Sequence, residues 1–340
     1  MPKWLKDTGP QSDIVISSRV RIARNLEGFP FTHNLNENQA QEIIKQAHEG
    51  ILTANNTFKG DFKLIPMKDM DEINRLSYVE KHLISPELAR NIKKGNVIIN
   101  NEETISIMLN EEDHIRIQCM LPGLQLDEAW DTANKIDDLI EERVNYAFDE
   151  ELGYLTSCPT NLGTGVRASV MLHLPALSLT GYIQGILRAA GQIGLAVRGI
   201  YGEGSEFLGN LYQISNQVTL GVSEEEIVGN LNAVTLQIID KERIARENLL
   251  NMKKDELEDK VFRSYGILKN ARIITANEAM KLISDVKLGV NLKLIDDLST
   301  EKLNCIMTMI QPGFLQKHYK VSMDGSNRDI KRAELIRENL

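Results

Sequence analysis

Apolar residues recur along this chain with two different periods. From residue 36 to 52, Ala40, Ile43, Ile44, Ala47 and Ile51 fall at helical spacing and predict a first amphipathic helix. The period then shortens. Residues 97–99, 104–109 and 114–120 are brief and rich in isoleucine, and Ile105, Ile107 and Leu109 alternate with smaller or polar neighbours. Gaps of a few residues between these runs allow hairpins but no helical crossover, so the sheet is expected to be antiparallel.

Helical spacing returns at residues 127–148, where Trp130, Ala133, Ile136, Ile140, Val144 and Phe148 form one stripe. Further along, residues 170–174 and 195–199 read as strands and residues 179–190 as a short helix. Ser223 followed by Glu226 has capping-box spacing and opens a helix to about residue 250. Strands and helices without regular alternation indicate an α+β fold. Beyond residue 250 only helical segments are expected: 255–265, then 275–286 behind a Thr275 cap, then a tail whose Ser326 and Asp329 have cap spacing. The chain is therefore expected to divide into a larger part, 1–250, and a smaller helical part, 251–340.

Composition narrows the function classes. The 340 residues carry a net charge of -9, with 42% hydrophobic and 26% charged positions, which disfavours non-specific binding to nucleic acid. Cys119, Cys158 and Cys305 are odd in number and show neither zinc nor disulfide spacing, so a reducing cytoplasm is expected. No signal-peptide pattern opens the chain. No run of 18 apolar residues suggests a membrane span.

Three segments concentrate charge within otherwise apolar sequence. NEEDHIR, residues 110–116, sets Glu111 and Glu112 between two strand-like runs, while Arg116 alternates with Ile115 and Ile117. It reads either as a charged turn or as carboxylates aligning a guanidinium or amine. CPTNLGTGVRA, residues 158–168, places Cys158 before a turn containing Gly163 and Gly165. The glycines could bring amides near an anion, but the GxxxxGK phosphate loop is absent. Cys158 itself is either a small buried hydrophobe or a reactive thiol.

Arginines weigh more. Arg19 and Arg21 of SSRVRIARN share a face if extended, Arg167 precedes an apolar run, and Arg198 follows one. Each could be half of a structural ion pair. Together with Arg116 they favour a polyphosphate, because an arginine near a core cannot be neutralised and requires anions.

VISSRVRIARN, NEEDHIR, CPTNLGTGVRA and VRGIYGEGSE, in that order, resemble the signature segments of the guanidino (phosphagen) kinases over roughly residues 11–240. The beginning and the carboxy-terminal region are most similar to the bacterial protein-arginine branch of that family. The resemblance implies a glutamine-synthetase-like catalytic domain with an antiparallel sheet, followed by a smaller helical domain. It further implies transfer of the γ-phosphoryl group of ATP, with Mg2+ held mainly by the nucleotide phosphates, to a guanidinium nitrogen.

Carried over by position, Arg19, Arg21, Arg116, Arg167 and Arg198 would grip the ATP phosphates. Glu112 would be the principal substrate carboxylate, Glu203 the second, and Cys158 the thiol that modulates the guanidinium environment. Two departures stand out: the adenine-side histidine position is Met171, and Gln217, Val218 and Thr219 replace a phosphate-side arginine. Only eighteen residues precede Arg19, where small-guanidine members carry a helical domain, so an open site suited to a protein-borne arginine is expected.

In the tail, Arg328, Asp329 and Arg332 resemble a phosphoarginine-recognition segment that would assist dimerisation. Spacing alone sets the two arginines on one helix face, able to pinch a phosphate. The resemblance also implies partners: arginine-bearing protein substrates including a heat-shock repressor, the zinc-containing activator McsA, and the ClpC–ClpP protease. Rival readings are a free-arginine or small-guanidine kinase and a non-catalytic phosphoarginine-binding adaptor.

Overall fold

The computed structural model describes residues 1–53, 61–199 and 207–340. Its strands are β1 (Val15–Arg24), β2 (Phe62–Pro66), β3 (Asn96–Asn100), β4 (Ile105–Leu109), β5 (Ile115–Pro122), β6 (Phe148–Asp149), β7 (Gly153–Tyr154), β8 (Val166–His173), β9 (Leu195–Arg198) and β10 (Leu211–Asn216). Eight of them form one sheet in the order β2-β3-β4-β5-β1-β8-β10-β9, with every pairing antiparallel. The short hairpin loops therefore have the expected consequence. In the tight turns flanking β4, Glu103 and Asn110 take left-handed backbone conformations, and the Asn100 side chain accepts from the N–H groups of Thr104 and Ile105.

The helices preceding β8 are α1 (Lys3–Lys6), α2 (Glu37–Thr53), α3 (Glu72–Glu80), α4 (Pro86–Arg90) and α5 (Leu126–Glu141). After it come α6 (Pro175–Leu179), α7 (Ile183–Gln192), α8 (Glu224–Met252), α9 (Lys254–Asn270), α10 (Ala276–Asn291), α11 (Thr300–Met309), α12 (Pro312–Tyr319) and α13 (Gly325–Asn339). Among the described residues no helix is long and apolar enough to cross a membrane.

The two faces of the sheet differ, and alternation explains why. Val20 and Ile22 on β1, Ile115 and Ile117 on β5, and Val166 and Val170 on β8 point to one side and are fully buried. They share a core with Ile43 and Ala47 of α2, Ala133 and Ile136 of α5, and Leu231 and Ile238 of α8. Each valine, isoleucine and leucine among them contributes about 1.5–3 kcal/mol of burial.

A second core joins Trp4, Leu5, Met120, Met171 and Leu211 to Val261, Ile283, Leu303, Leu315 and Leu335 of the C-terminal helices. Met120, Met171 and Leu211 lie at the register positions that alternate away from the first core, so these helices cover one part of the opposite sheet face. The remainder of that face carries the arginines.

Four element predictions need correction. The stripe read as one helix over 127–148 stops at Glu141, and Phe148 is 57% exposed in the β6–β7 ribbon. Backbone pairing wins there: Glu27 donates to the Asn145 carbonyl and Ala147 to that of Asn25, tying the chain to the exit of β1. The helix expected over 179–190 breaks into α6 and α7 around Gly181, whose φ of 77° is left-handed. In the tail, Asp324 rather than Ser326 is the cap, accepting from the N–H of Asn327. Strand β8 also begins four residues before the expected 170, which puts Arg167 inside it.

Candidate active site

Arg19, Arg21, Arg116, Arg167 and Arg198 sit on one face of the sheet. In register, Arg21 lies opposite Arg167 on β8 and Gln118 on β5, Arg116 lies opposite Ala23, and Arg198 lies opposite Gln213. All five are half-buried, and on β1, β5 and β8 they interrupt otherwise buried stretches. Like charges directly opposite each other across strands are destabilising. Partners only partly offset this. Arg19 donates to Ser169 Oγ (3.3 Å) and Gln213 Oε1 (2.9 Å), while Arg167 reaches Ser215 Oγ at 3.5 Å.

The Nε of Arg21 is buried without a hydrogen-bond acceptor, and among the described residues no carboxylate lies within ion-pair distance of Arg19 or Arg21. Burial, with Arg116 and Arg167 nearby, pushes Arg19 down to about 10. Burial and the charges of Arg19, Arg116 and Arg167 lower Arg21 well below the usual guanidinium range. An anion with several charges would relieve both effects. The cleft of about 200 Å³ between Arg19, Arg21, Arg116, Arg198, His82 and Ser85 is where it would sit.

His82, Ser85, Gln118 and Gln213 were not among the residues expected from sequence. His82 has a left-handed backbone (φ 56°), and its carbonyl accepts from Gln118 Nε2 at 2.6 Å. Burial, then Arg19 and Arg21, pushes its imidazole down to about 3, so it faces the arginines as a neutral ring. The Ser-Pro-Glu run at residues 85–87 is a helix-start signal that locates this wall: Ser85 caps α4 by accepting from Leu88 N–H.

The β4–β5 hairpin supplies the carboxylates. Glu111 is buried between Arg116 NH1 (2.7 Å) and the Ser85 hydroxyl (2.6 Å). Burial opposes its ionisation, but Arg116 and the Ser85 hydroxyl hold it below the usual carboxylate range. Glu112 is freer, 4.0 Å from Arg116, and opens into a cavity of about 470 Å³ with Glu87, Asn91 and Ser157 on its walls. Burial raises its pKa, with Arg116 acting in the opposite sense. Of the two adjacent carboxylates, Glu111 thus fixes Arg116, and Glu112 is left to meet a cation.

Asp113, 1% exposed, accepts from Asn25 Nδ2 and from the N–H of Ser157, both at 2.7 Å, fastening the hairpin to the Cys158 segment. His114 is structural. Its Nδ1 accepts from Leu26 N–H (3.0 Å), which leaves Nε2 to donate to the Pro30 carbonyl at 2.8 Å. Cys158 is half-buried, with Sγ 3.0 Å from Thr160 Oγ1.

The glycines after Cys158 serve packing rather than the anion. A Cβ on Gly163 would lie 2.2 Å from the Thr219 carbonyl oxygen, and one on Gly165 would lie 2.6 Å from that of Ala23. Thr219 further binds the Leu162 carbonyl at 2.7 Å, so the segment lacking the extra arginine instead ties down the Cys158 turn. Glu203 lies outside the described residues.

In the tail, Arg332 is only 2% exposed. It donates to the carbonyls of Ile310 (2.9 Å) and Ile274 (3.0 Å) and pairs with Asp329. This differs from the expected phosphate pinch, in which Asp329 awaits an incoming guanidinium. On the inward face of α13, Arg332 meets the carbonyls of Ile310 and Ile274, while Arg328 stays half-buried.

An arginine-lined sheet face beside a carboxylate hairpin is the arrangement of a phosphotransferase that takes a polyanionic donor and a cationic acceptor. Comparison with known proteins gives the same class. The description "ATP:guanido phosphotransferase, C-terminal catalytic domain" matches residues 42–245, and "Protein-arginine kinase McsB C-terminal domain" matches residues 254–340. The chain belongs to the ATP:guanido phosphotransferase family.

It is similar to the protein-arginine kinase of Caldanaerobacter subterraneus subsp. tengcongensis, 52% identical over 96% of this chain and 97% of that one. It is also similar to the protein-arginine kinase of Bacillus subtilis (strain 168), 53% identical over 100% of this chain and 93% of that one. Among solved structures, lombricine kinase matches with a TM-score of 0.61 at 26% identity, covering 71% of each chain. The duplicated taurocyamine kinase of Schistosoma mansoni shares the fold, with a TM-score of 0.62 at 24% identity, over 73% of this chain and 36% of that one.

Proposed function

We propose that this chain is an ATP-dependent protein-arginine kinase. The observation that carries the reading is the single sheet face bearing Arg19, Arg21, Arg116, Arg167 and Arg198, with Glu112 opening beside it into a separate cavity. The arginines hold the nucleotide phosphates and offset charge on the transferring group; Glu112 orients the acceptor guanidinium in line with it.

A free guanidinium keeps its proton at neutral pH, so the proton leaves as the N–P bond forms or afterwards, and in this reading Glu112 takes it. Its raised pKa favours that acceptance. Glu203 and Cys158 complete the acceptor side in this reading. Among the described residues no cluster of three His, Cys, Asp or Glu side chains could hold a metal. Mg2+ would be carried by the nucleotide phosphates, where it supplies charge neutralisation.

The full-length relatives support a protein-borne acceptor, as does the breadth of the Glu112 cavity. On this reading the enzyme marks proteins for the ClpC–ClpP protease and regulates a stress response through a heat-shock repressor. It works in the cytoplasm as a dimer or larger assembly, with McsA as activator. Residues 251–340 contribute phosphoarginine recognition, with Arg328 the accessible cation and Asp329 and Arg332 shaping the site.

The test is to incubate the chain with MgATP and, in parallel, free arginine or an unfolded arginine-bearing protein, and to locate acid-labile phosphate by mass spectrometry. Phosphoarginine on the protein is expected. Labelling confined to free arginine would make it a small-guanidine kinase. No transfer to either, with McsA present, would leave a phosphoarginine-binding adaptor.

A further inference from the structure

Glu80, the last residue of α3, turns its carboxylate toward the C-terminal helices. One oxygen accepts the N–H of Gly313 and the other that of Phe314, each at 2.6 Å, in the first turn of α12. Those N–H groups have no partner within the helix, and the positive end of the helix dipole favours a carboxylate there. Glu80 is 7% exposed, and α3 meets α12 backbone to backbone. A Cβ on Gly313 would stand 2.7 Å from the Leu76 side chain and 2.8 Å from the Ser77 nitrogen.

From Glu80 the chain enters the cleft within five residues. Lys81 binds both carboxylate oxygens of Glu103, in the β3–β4 turn, at 2.9 Å. His82, held in a left-handed conformation, gives its carbonyl to Gln118 and its ring to the neighbourhood of Arg19 and Arg21. Ser85 caps α4 and binds Glu111, which binds Arg116. One short strip therefore touches α12 at one end and the cleft at the other.

We propose that Glu80 is a positioning residue for phosphoryl transfer: by gripping the first turn of α12 it fixes the 82–85 strip, and through Ser85 it sets the Glu111–Arg116 pair. This rests on reading the arginine cleft as the phosphotransferase site. Glu80 itself touches neither nucleotide nor acceptor. Burial raises the Glu80 carboxylate to about 7, while the Gly313 and Phe314 N–H groups and the charges of Arg328 and Arg332 favour its ionised form.

The experiment compares the full chain with E80Q, S85A and the double variant, measuring kcat and the KM for MgATP with an arginine-bearing protein as acceptor. Glutamine keeps the size of the side chain but offers one acceptor to two N–H groups. E80Q is expected to lower kcat about 10-fold with the MgATP KM changed less than about 3-fold, since small displacements of a catalytic group act on the transition state. In the S85A background, where the strip is already cut from Glu111, E80Q should lower kcat less than about 2-fold.

Equal turnover of E80Q and wild type would overturn the proposal, as would the same fold-loss with and without Ser85. Glu80→Asp, which retains charge but draws the carboxylate back by one methylene, replaces E80Q if that variant unfolds at the assay temperature, and is judged by the same two comparisons. A wild-type chain that transfers nothing would instead remove the reading of the cleft, and this proposal with it.

Discussion

Replacing Arg21 by methionine should make the nucleotide-free protein more stable while removing much of its response to ATP. Arg21 faces Arg167 across β1–β8, and Arg19 and Arg116 are close enough to disfavour its charge. Taking the guanidinium groups as about 7 Å apart in an effective dielectric of about 20, each like-charge neighbour costs roughly 2 kcal/mol. Glu111 offsets part of this, and methionine retains most of the apolar stem. A net gain of about 1–2 kcal/mol is expected for R21M without ligand, or a few degrees in melting temperature.

At a MgATP concentration about 100 times its Kd, the wild type should gain about 2.7 kcal/mol from binding. R21M should gain little. The order of the two melting curves therefore inverts on adding MgATP. Thermal melts with and without nucleotide, supported by equilibrium ATP binding, read both effects. R21M melting lower than wild type in the absence of nucleotide would refute the claim that Arg21 has no carboxylate partner among the described residues; an undiminished ATP shift would refute the claim that Arg21 binds the nucleotide phosphates.

Three further substitutions separate architecture from recognition. Lys287, fully buried and bonded to Asn304 Oδ1 at 2.7 Å, is pushed down to about 7 by burial and by Arg246. Its folded-state pKa lies below the unfolded value near 10.4, so burying the charge costs most below pH 7 and progressively less as pH rises toward 10. Lys287→Met should raise the melting temperature most near pH 6–7, with a gain that shrinks by pH 9–10; a pH-independent gain would contradict this. In α13, Arg332→Ala should cost about 2–4 kcal/mol in stability, because two buried carbonyls and Asp329 lose their partner. Arg328→Ala should weaken phosphoarginine binding at near-native stability, and unchanged affinity for that ligand would remove Arg328 from the proposed site.

Much of the cleft was legible because strands alternate. Once residues 17–24 and 114–120 are read as extended, Arg19, Arg21 and Arg116 each fall among buried neighbours, and only one sheet face can hold them. Arg167 was harder, since the apolar run that marks its strand begins only at Val170. Residue chemistry finds Glu111 and Glu112 only as a pair, and the family resemblance alone singles out Glu112: what distinguishes them physically is Ser85, 26 positions away, which takes Glu111 and leaves Glu112 open.

The glycines at 163 and 165 misled for a related reason. A glycine required by a carbonyl pressing on it from Thr219 or Ala23 has the same sequence signature as one that admits a phosphate. Arg332 likewise looked accessible because helix spacing gives faces, not the depth at which a neighbouring chain covers them.

The most direct test of the account is phosphorus NMR of MgATP and an arginine-bearing protein incubated with wild-type enzyme or E112Q. The wild type should produce a phosphoramidate signal as ATP is consumed. E112Q should bind ATP with near-native affinity yet form the signal at least about 100-fold more slowly, the loss expected on removing a group that acts in the transition state. A phosphoramidate signal at the wild-type rate from E112Q would contradict the central claim that this carboxylate aligns the guanidinium beside the arginine face.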